Sequence, residues 1–376
     1  MTLPASPSAL SFSQINTELG RASGTSFSLS DPYVKTLFSD WSNPIAISNG
    51  RGKAWPLIHP SVTNVNLFQN PQTGNITVPA GAYRVSIKVW GAGGGGGGSG
   101  GNLDNFSGPG GSGAFLWGIY DVSPGETLSY SLGQGGFGGT NGTSTGAGEG
   151  GGGGGATWLR NMSRSGQPYY FIVGGGGGGG GAGNSTGDNG GAGGGGGANG
   201  LAGQGAGFDS TASGSTGLDT VGGNGGSQGG GTGAFMQGGT SVSGTNGIGG
   251  SGTGTGGTDG GGTGGDNYLS SGGGGGGGSG WYGGGGGGWT GGGYGGGGAG
   301  GGSTYAAGYL LQEITRYNGK TGVVGTQPPG SSALWPLYQD ANYVPFIGQG
   351  GYATDRPGIN AGSGGRGMIS LEFFTT

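Results

Sequence analysis

The stretch Tyr83-Arg-Val-Ser-Ile-Lys-Val-Trp-Gly-Ala-Gly-Gly-Gly-Gly-Gly-Gly98 joins the two kinds of sequence that together decide the fold. In its first half the apolar residues Val85, Ile87 and Val89 alternate with polar ones, which predicts a half-buried β-strand. Its second half opens a region from Gly91 to Gly302 that is mostly glycine. Because apolar, strand-like segments interrupt this region, we expect a β-scaffold that carries long glycine runs.

The composition argues against two common glycine-rich states. Glycine accounts for 119 of 376 residues and proline for 16, a level that usually signals low complexity or disorder. Aromatic residues nevertheless make up 10% of the chain and charged residues only 7%, whereas disordered chains are rich in charge and poor in aromatics. The glycines come in runs and proline is scarce, so a collagen triple helix does not fit either.

An ordered glycine run needs partners for its backbone. A helix of the polyproline-II type has three residues per turn, rises ~3.1 Å per residue and makes no internal hydrogen bonds. Without Cβ atoms such helices can lie side by side, and each can bond several neighbours, which satisfies the buried backbone groups. Glycine loses the most conformational freedom on folding, so the ends of each run must be fixed by the strands. The predicted fold class is all-β with a polyglycine-II helix bundle.

Several more segments have strand patterns. Besides residues 83–90, strands are predicted at 76–81, 114–122, 127–132, 156–160, 169–173 and 366–374. Turn chemistry supports the assignment, since Ser123-Pro-Gly-Glu126 combines a proline that presets φ with a glycine that accepts positive φ. The expected architecture is a small antiparallel sandwich with glycine-rich insertions. Its predicted core aromatics are Trp90, Phe115, Trp117, Tyr130 and Phe171.

The remaining chain divides into three parts. Residues 1–55 form a separate zone with two predicted short helices, one over residues 11–20 and one after Ser30. Residues 56–75 are predicted to be a linker, and residues 76–376 the glycine-rich domain. Within that domain, residues 305–365 form an insert rich in Tyr, Trp and Pro.

The N-terminal zone resembles a segment found on tailed-phage tail proteins. The matching sequence is LSFSQINTELG, then SFSLSDPYVKTLF, then PIAISNGRGKAW, over about residues 8 to 55. The resemblance implies that this zone attaches the chain to a virion. Its candidate attachment residues are Phe12, Ile15, Leu19, Leu37, Phe38 and Trp55. An ordinary two-helix cap is the alternative interpretation, because an analogy of fold does not by itself settle function.

The order of strands and glycine runs carries a second resemblance. VSIKVWGAGGGGGGSGG, GGSGAFLWGIYDVSPGETLSYSLGQGG, GGGGGGATWLR and YYFIVGGGGGGGG are similar to the extracellular glycine-rich region of the anaplastic lymphoma kinase family, and to glycine-rich phage tail adhesins. The similarity covers roughly residues 76–305 and 366–376. It implies glycine helices in a hexagonal bundle and a jelly-roll-like sandwich. Unlike the kinase family, this chain has no cysteine.

Catalytic and metal-binding signatures are weak. The chain has no cysteine and only one histidine, His59, which argues against nucleophilic hydrolysis and thiolate metal sites. Asn318-Gly-Lys-Thr321 resembles the end of a P-loop but lacks its first glycine, since Ile314 stands there. Asp266 lies in one copy of a calcium nonapeptide pattern that needs stacked copies. We therefore predict no enzyme, no cofactor and no metal.

Charge and hydropathy argue against a nucleic-acid partner and against insertion into a membrane. The net charge is −4, which disfavours polyanions. The N-terminus lacks the pattern of a signal peptide, and no apolar run approaches the ~20 residues that span a bilayer. Together with the two resemblances, these features predict a virion protein of a phage tail.

Aromatic residues in polar loops are the candidate receptor contacts, because Tyr and Trp give large contact area with few rotatable bonds. The loop candidates are Tyr268, Trp335, Tyr338, Tyr343 and Tyr352. Four others fit equally a cover over the ends of the glycine bundle or a binding role: Trp281, Tyr282, Trp289 and Tyr294.

The predicted function is a non-enzymatic tail-tip or tail-fibre adhesin that binds a host surface protein or glycan. Its other partners would be phage tail proteins, through the N-terminal segment. A purely structural tail component is the second hypothesis. A host-glycan hydrolase is the third, since the 16 acidic residues could include a catalytic pair. The sequence leaves open whether the chain forms a homo-oligomer.

Overall fold

A computed structural model describes residues 11–18, 24, 63–67, 73–99, 106–141, 148–164, 170–183, 189–197, 200–201, 203, 272–281, 283–287, 295–306, 312–319, 344–353 and 361–375. Within these ranges one helix is followed by ten strands. They are α1 Phe12–Glu18, β1 Thr63–Leu67, β2 Thr73–Thr77, β3 Ala82–Trp90, β4 Phe115–Asp121, β5 Thr127–Ser131, β6 Thr157–Asn161, β7 Tyr170–Gly174, β8 Tyr305–Ala306, β9 Gln312–Tyr317 and β10 Met368–Thr375.

The strands form two five-stranded sheets. One has the order β1-β10-β3-β4-β9 and the other β2-β5-β6-β7-β8. Every strand pairing in both sheets is antiparallel. The predicted all-β class with antiparallel sheets is confirmed.

The alternation in β3 and β10 sets the core between the sheets. Val85, Ile87 and Val89 are fully buried. Their register partners on β10 are Phe373, Leu371 and Ile369, which are buried in the same cluster. A slip of one residue would turn both apolar rows to the other face, so this pairing has a strongly specified register.

Most of the predicted core aromatics are buried. Trp90, Phe115, Tyr130 and Phe171 lie in the interior, whereas Trp117 is only partly buried and donates from Nε1 to Ser86 Oγ at 2.8 Å. Tyr120, also fully buried, links the two sheets. Its hydroxyl donates to the Phe171 carbonyl at 2.6 Å, and the two rings lie 4.8 Å apart.

Seven of the ten strands overlap predicted ones, and three were not predicted. The overlap is smallest for β2, which begins at Thr73 in the predicted linker and shares only residues 76–77 with the predicted range 76–81. β1 lies inside residues 56–75, so residues 63–67 are an edge strand rather than part of a linker. β8 and β9 lie inside the 305–365 insert. TNVNL alternates, with Val65 and Leu67 as its apolar residues, but it is only five residues long, and QEITRY contains one aliphatic residue, Ile314. Edge strands need less apolar surface than central ones, so neither pattern was strong enough to predict a strand.

The first predicted helix is present and has a capping box. Gln14 N–H donates to Ser11 Oγ at 3.2 Å, and Ser11 N–H donates to Gln14 Oε1 at 2.8 Å. Ile15 is fully buried, while Phe12 is 55% exposed. The second predicted helix lies outside the described residues.

The glycine runs continue directly from the strands at one end of the sandwich. β3 leads into residues 91–99, and β7 leads into residues 175–183. Trp90, Phe115, Ile347 and Met368 pack together where strands meet runs. On the other sheet, Ala156, Trp158 and Val173 form a second cluster at this junction. These two clusters lie at the end of each run that adjoins a strand.

Candidate functional site: the exposed flank of the glycine runs

Hydrogen bonds of the glycine runs repeat every three residues. We call residues 91–98 the first central run. Its successive N–H groups donate to three different neighbouring runs, and its carbonyls accept from three others, so that it has six neighbours. Written as donor N–H to acceptor carbonyl, the bonds to the run 108–114 are 91→114, 94→111 and 97→108. Those to the run 149–155 are 92→155, 95→152 and 98→149, and those to the run 361–367 are 93→365 and 96→362, all at 2.8–3.2 Å. The bonds it accepts are 136→93 and 139→96, then 177→92, 180→95 and 183→98, then 351→94.

Residues 175–183, the second central run, have the same pattern. They donate to residues 273–279, 92–98 and 191–194, and accept from residues 108–114, 148–154 and 296–302. A β-strand has only two hydrogen-bonded neighbours, whereas each central run has six. The arrangement therefore satisfies backbone groups in three dimensions rather than within a sheet.

This packing leaves little room for side chains. A Cβ atom at Gly95 would overlap the Phe137 carbonyl, and one at Gly178 would overlap the Ala299 carbonyl. A methyl group is nevertheless accommodated at particular buried positions such as Ala92 and Ala182. Glycine is thus required by close backbone approach at some positions and replaceable at others.

Three neighbours of the first central run form a solvent-facing surface, which we call the exposed flank: residues 133–141, 348–353 and 361–367. Here every third residue is not glycine, and these residues face outward because the other two positions of each turn face neighbouring runs. They are Gln134, Phe137 and Thr140, then Gln349 and Tyr352, then Ser363 and Arg366. Phe137 is 64% exposed and Tyr352 is 43% exposed.

The register aligns these side chains in rows. The Phe137 carbonyl lies against Gly95 and the Tyr352 carbonyl lies against Gly96, so the two aromatics are at nearly the same height. Between them, Ser363 Oγ accepts from Gly138 N–H at 3.4 Å. The Tyr352 ring lies over Gly362, where a Cβ atom would overlap it. The first row is therefore Phe137, Ser363 and Tyr352.

A second row lies one turn nearer the sandwich. Gly365 N–H donates to the Gln349 carbonyl at 2.7 Å, and Gly364 N–H donates to the Gly136 carbonyl at 2.8 Å. These bonds align Gln134, Arg366 and Gln349 across the three runs. Beyond this row, just before residues 348–353, Phe346 is 72% exposed and has a positive φ of 71°.

Charge on the flank is sparse. Within the described residues, the Arg366 side chain is exposed and pairs with no carboxylate. At the far edge, Thr140 Oγ1 donates to Glu149 Oε2 at 2.6 Å. In the part of the chain that the structure describes, no three Asp, Glu, His or Cys side chains are grouped to hold a metal ion.

The predicted site residues fall in different places. Tyr352 lies on the flank, whereas Trp281 stacks on Tyr305 at the junction, with ring centroids 3.8 Å apart. Of the attachment candidates, Phe12 and Ile15 lie on α1. The other candidates lie outside the described residues: Tyr268, Tyr282, Trp289, Tyr294, Trp335, Tyr338 and Tyr343, with Leu19, Leu37, Phe38 and Trp55.

Phe137 and Arg366 were not predicted, although the sequence contains a signal for both. The segments Gln134-Gly-Gly-Phe137-Gly-Gly-Thr140, Gln349-Gly-Gly-Tyr352 and Ser363-Gly-Gly-Arg366 space their side chains by three. This spacing matches the three-residue repeat of the hydrogen bonds, so the spaced side chains lie on one side of each run. In these three segments the spaced side chains face outward, whereas Pro109 and Ser112 have the same spacing and are buried.

Comparison with known proteins adds no family assignment, since no protein-family model and no curated protein matches the chain. Among the described residues, none forms a helix long and apolar enough to cross a membrane.

Proposed function

We propose that this protein is a non-enzymatic adhesin at the tip or fibre of a phage tail. Residues 1–55 attach it to other tail proteins, and the glycine-rich domain presents a surface to a receptor on the host cell. The support is the resemblance of residues 8–55 to tail-protein segments, together with the resemblance of the strand and glycine motifs to tail adhesins. The chain acts in the virion, with a host protein or glycan as its binding partner.

We further propose that the glycine runs are polyglycine-II helices in a hexagonal bundle, carried by a jelly-roll-like sandwich. The hydrogen-bond period of three and the six neighbours of each central run support the bundle. The two packed antiparallel sheets, with the first and last strands paired, support the sandwich.

One observation carries the functional proposal: a dense backbone network holds an exposed face with regularly spaced side chains. Binding residues are usually placed on a rigid support, because ordering a mobile surface on binding costs affinity. The central runs supply that support, and the flank presents two aromatic side chains, Phe137 and Tyr352, that are exposed to solvent.

Competition for phage adsorption tests the adhesin proposal. The purified full chain is added to host cells before the phage, and both residual adsorption and saturable cell binding of labelled protein are measured. We expect the protein to bind cells saturably and to reduce adsorption. A protein that is present in virions but binds no cells would contradict the proposal and favour a purely structural tail component.

A variant in which residues 320–343 are replaced separates recognition by this segment from recognition elsewhere. Replacing the whole 305–365 insert would also remove β9 and two runs of the flank. A shorter replacement of residues 320–343 by a Gly-Ser linker keeps them, while removing Trp335, Tyr338 and Tyr343. Unchanged blocking by this variant would exclude those three aromatics as the receptor contacts.

Release of reducing ends from host glycans by the wild-type protein would instead favour a hydrolase.

A further inference from the structure

The exposed flank has the chemistry of a binding surface for an acidic oligosaccharide. Phe137 and Tyr352, at nearly the same height on two runs, present exposed rings on either side of Ser363. The negative face of an aromatic ring attracts the weakly positive C–H groups of a sugar ring. Two such rings, separated by one glycine run, suit two sugar units of one chain.

The second row supplies hydrogen-bonding groups in register with the first. Gln134 and Gln349 lie on either side of Arg366. Amide side chains donate and accept, and a guanidinium donates through a planar fork. Sugar hydroxyls and carboxylates are the groups that such a row recognises.

Charge decides between a neutral and an acidic ligand. Arg366 is exposed and pairs with no carboxylate among the described residues. Glu149 lies at the level of Gly98 and Arg366 at about the level of Ala92 or Gly93. At ~3.1 Å per residue that separation is roughly 15–19 Å along the bundle, beyond the ~8 Å screening length in physiological salt.

We propose that the exposed flank binds an acidic oligosaccharide of a cell surface, with Phe137 and Tyr352 stacking on sugar rings and Arg366 pairing with a carboxylate or phosphate. This inference rests on the proposed adhesin function and names its ligand class. The Arg366 fork engages the acidic group bidentately, which gives orientation as well as affinity. Ser363, Gln134 and Gln349 bond the hydroxyls between.

Calorimetric titration of the full chain tests this assignment. The probes are an oligogalacturonate, a sialylated oligosaccharide and a phosphorylated oligomannoside, each with its methyl-esterified or dephosphorylated counterpart. We expect at least one acidic probe to bind, and its neutral counterpart to bind about tenfold more weakly, since a bond to a charged group contributes that much. The carboxylate and phosphate arms distinguish the two sources of the acidic group.

Variants assign the roles. Arg366→Gln should weaken the acidic probe about tenfold and leave the neutral one unchanged, whereas Phe137→Ala and Tyr352→Ala should weaken both. Matched controls lie on β3: Tyr83→Ala removes a ring that is 51% exposed, and Arg84→Gln removes a guanidinium paired with Asp121 at 3.3 Å. Both controls should bind like the wild type.

Two results would overturn the assignment. One is that no probe binds, and the other is that Arg366→Gln binds the acidic probes as tightly as the wild type. If no probe binds and the flank variants abolish a dimer of the chain, the flank is instead a contact between copies. Cell adsorption separates this inference from the adhesin proposal. If the wild type blocks adsorption and the variant lacking Phe137, Tyr352 and Arg366 blocks it equally, the adhesin proposal stands and the flank is not its contact.

Discussion

A methyl group added at Gly136 would clash with backbone atoms of two neighbouring runs. A Cβ atom there would overlap the Gly152 carbonyl and lie 2.6 Å from Gly95 N. At the next residue, Phe137, the side chain faces solvent. Adjacent positions of one run thus have opposite requirements, because one faces the first central run and the other faces outward.

This contrast gives a prediction with an internal control. Gly136→Ala should destabilise the protein by about 1–3 kcal/mol through overpacking, more than the ~0.4–1 kcal/mol gained from a stiffer unfolded chain. Phe137→Ala should change stability by no more than about 0.5 kcal/mol, as an exposed substitution usually does. Denaturant unfolding of both variants measures the difference. Equal stabilities would mean that Gly136 is not tightly enclosed.

A second prediction concerns the hydroxyl that links the two sheets. Tyr120→Phe leaves the Phe171 carbonyl without its 2.6 Å donor, and an unsatisfied buried acceptor costs about 1–3 kcal/mol. The midpoint of denaturant unfolding should fall while the slope with denaturant stays unchanged. An unaltered midpoint would show that this hydrogen bond makes no net contribution to the free energy of unfolding.

Single residues also show where sequence-based prediction reaches its limit. The alternation in Val85, Ile87 and Val89 was sufficient to predict a buried strand face. The burial of Trp90 and Phe115 was predicted, but their contact with each other, 4.8 Å between centroids, was not. Nor could sequence decide which buried positions accept alanine, as Ala92 does, because that depends on how the neighbouring carbonyls are placed.

Among the elements, the turn between β4 and β5 is held by one carboxylate. Glu126 accepts from Ser123 N–H at 2.9 Å, Asn161 Nδ2 at 2.9 Å and Arg164 Nε at 2.9 Å. Burial by itself raises the pKa of Glu126, but the bonds from Arg164, Ser123 and Asn161 outweigh it and hold that pKa below its ordinary value. The ionised form is therefore favoured in the folded state.

The pH dependence follows from the direction of that shift. A carboxyl group whose pKa is lowered by folding adds stability above its unfolded pKa, about 4.3 for glutamate, and loses it as the pH falls through the folded value. Below about pH 4.3 the wild type should lose the stability advantage that it has over Glu126→Gln at neutral pH. That advantage should be only roughly 1 kcal/mol, because Arg164 is partly exposed and solvent weakens its ion pair with Glu126. Thermal unfolding of both proteins from pH 7 to pH 3 measures this, and parallel curves would contradict it.

The strands were easier to predict than the order in which they pair within each sheet. The central strands β3, β4 and β10 carry strong apolar patterns, whereas the edge strands β1 and β9 have only two apolar or aromatic residues each. The pairing of β1 with β10 brings together residues about 300 positions apart in the chain. No local pattern contains that information.

For the whole molecule, the important property is that six neighbours surround each central run. The sequence supported a bundle of glycine helices only as an expectation from composition and backbone satisfaction. It could not show which runs are central, because a run of glycines has no side chains that mark its position. The three runs of the flank carry outward side chains at every third residue, but this spacing alone does not identify an outer run, since Pro109 and Ser112 share it and are buried.

Amide hydrogen exchange, followed by NMR on protein labelled with ¹⁵N-glycine, tests the central claim most directly. Slow exchange is expected for the glycine N–H groups of residues 91–98 and 176–183, close to the limit set by global unfolding, because each of them donates to a carbonyl of a neighbouring run. Gly135, on an outer run and partly exposed, should exchange faster. Exchange of both central runs at the rate of an unstructured chain would contradict an ordered bundle and remove the rigid support on which the proposed adhesin depends.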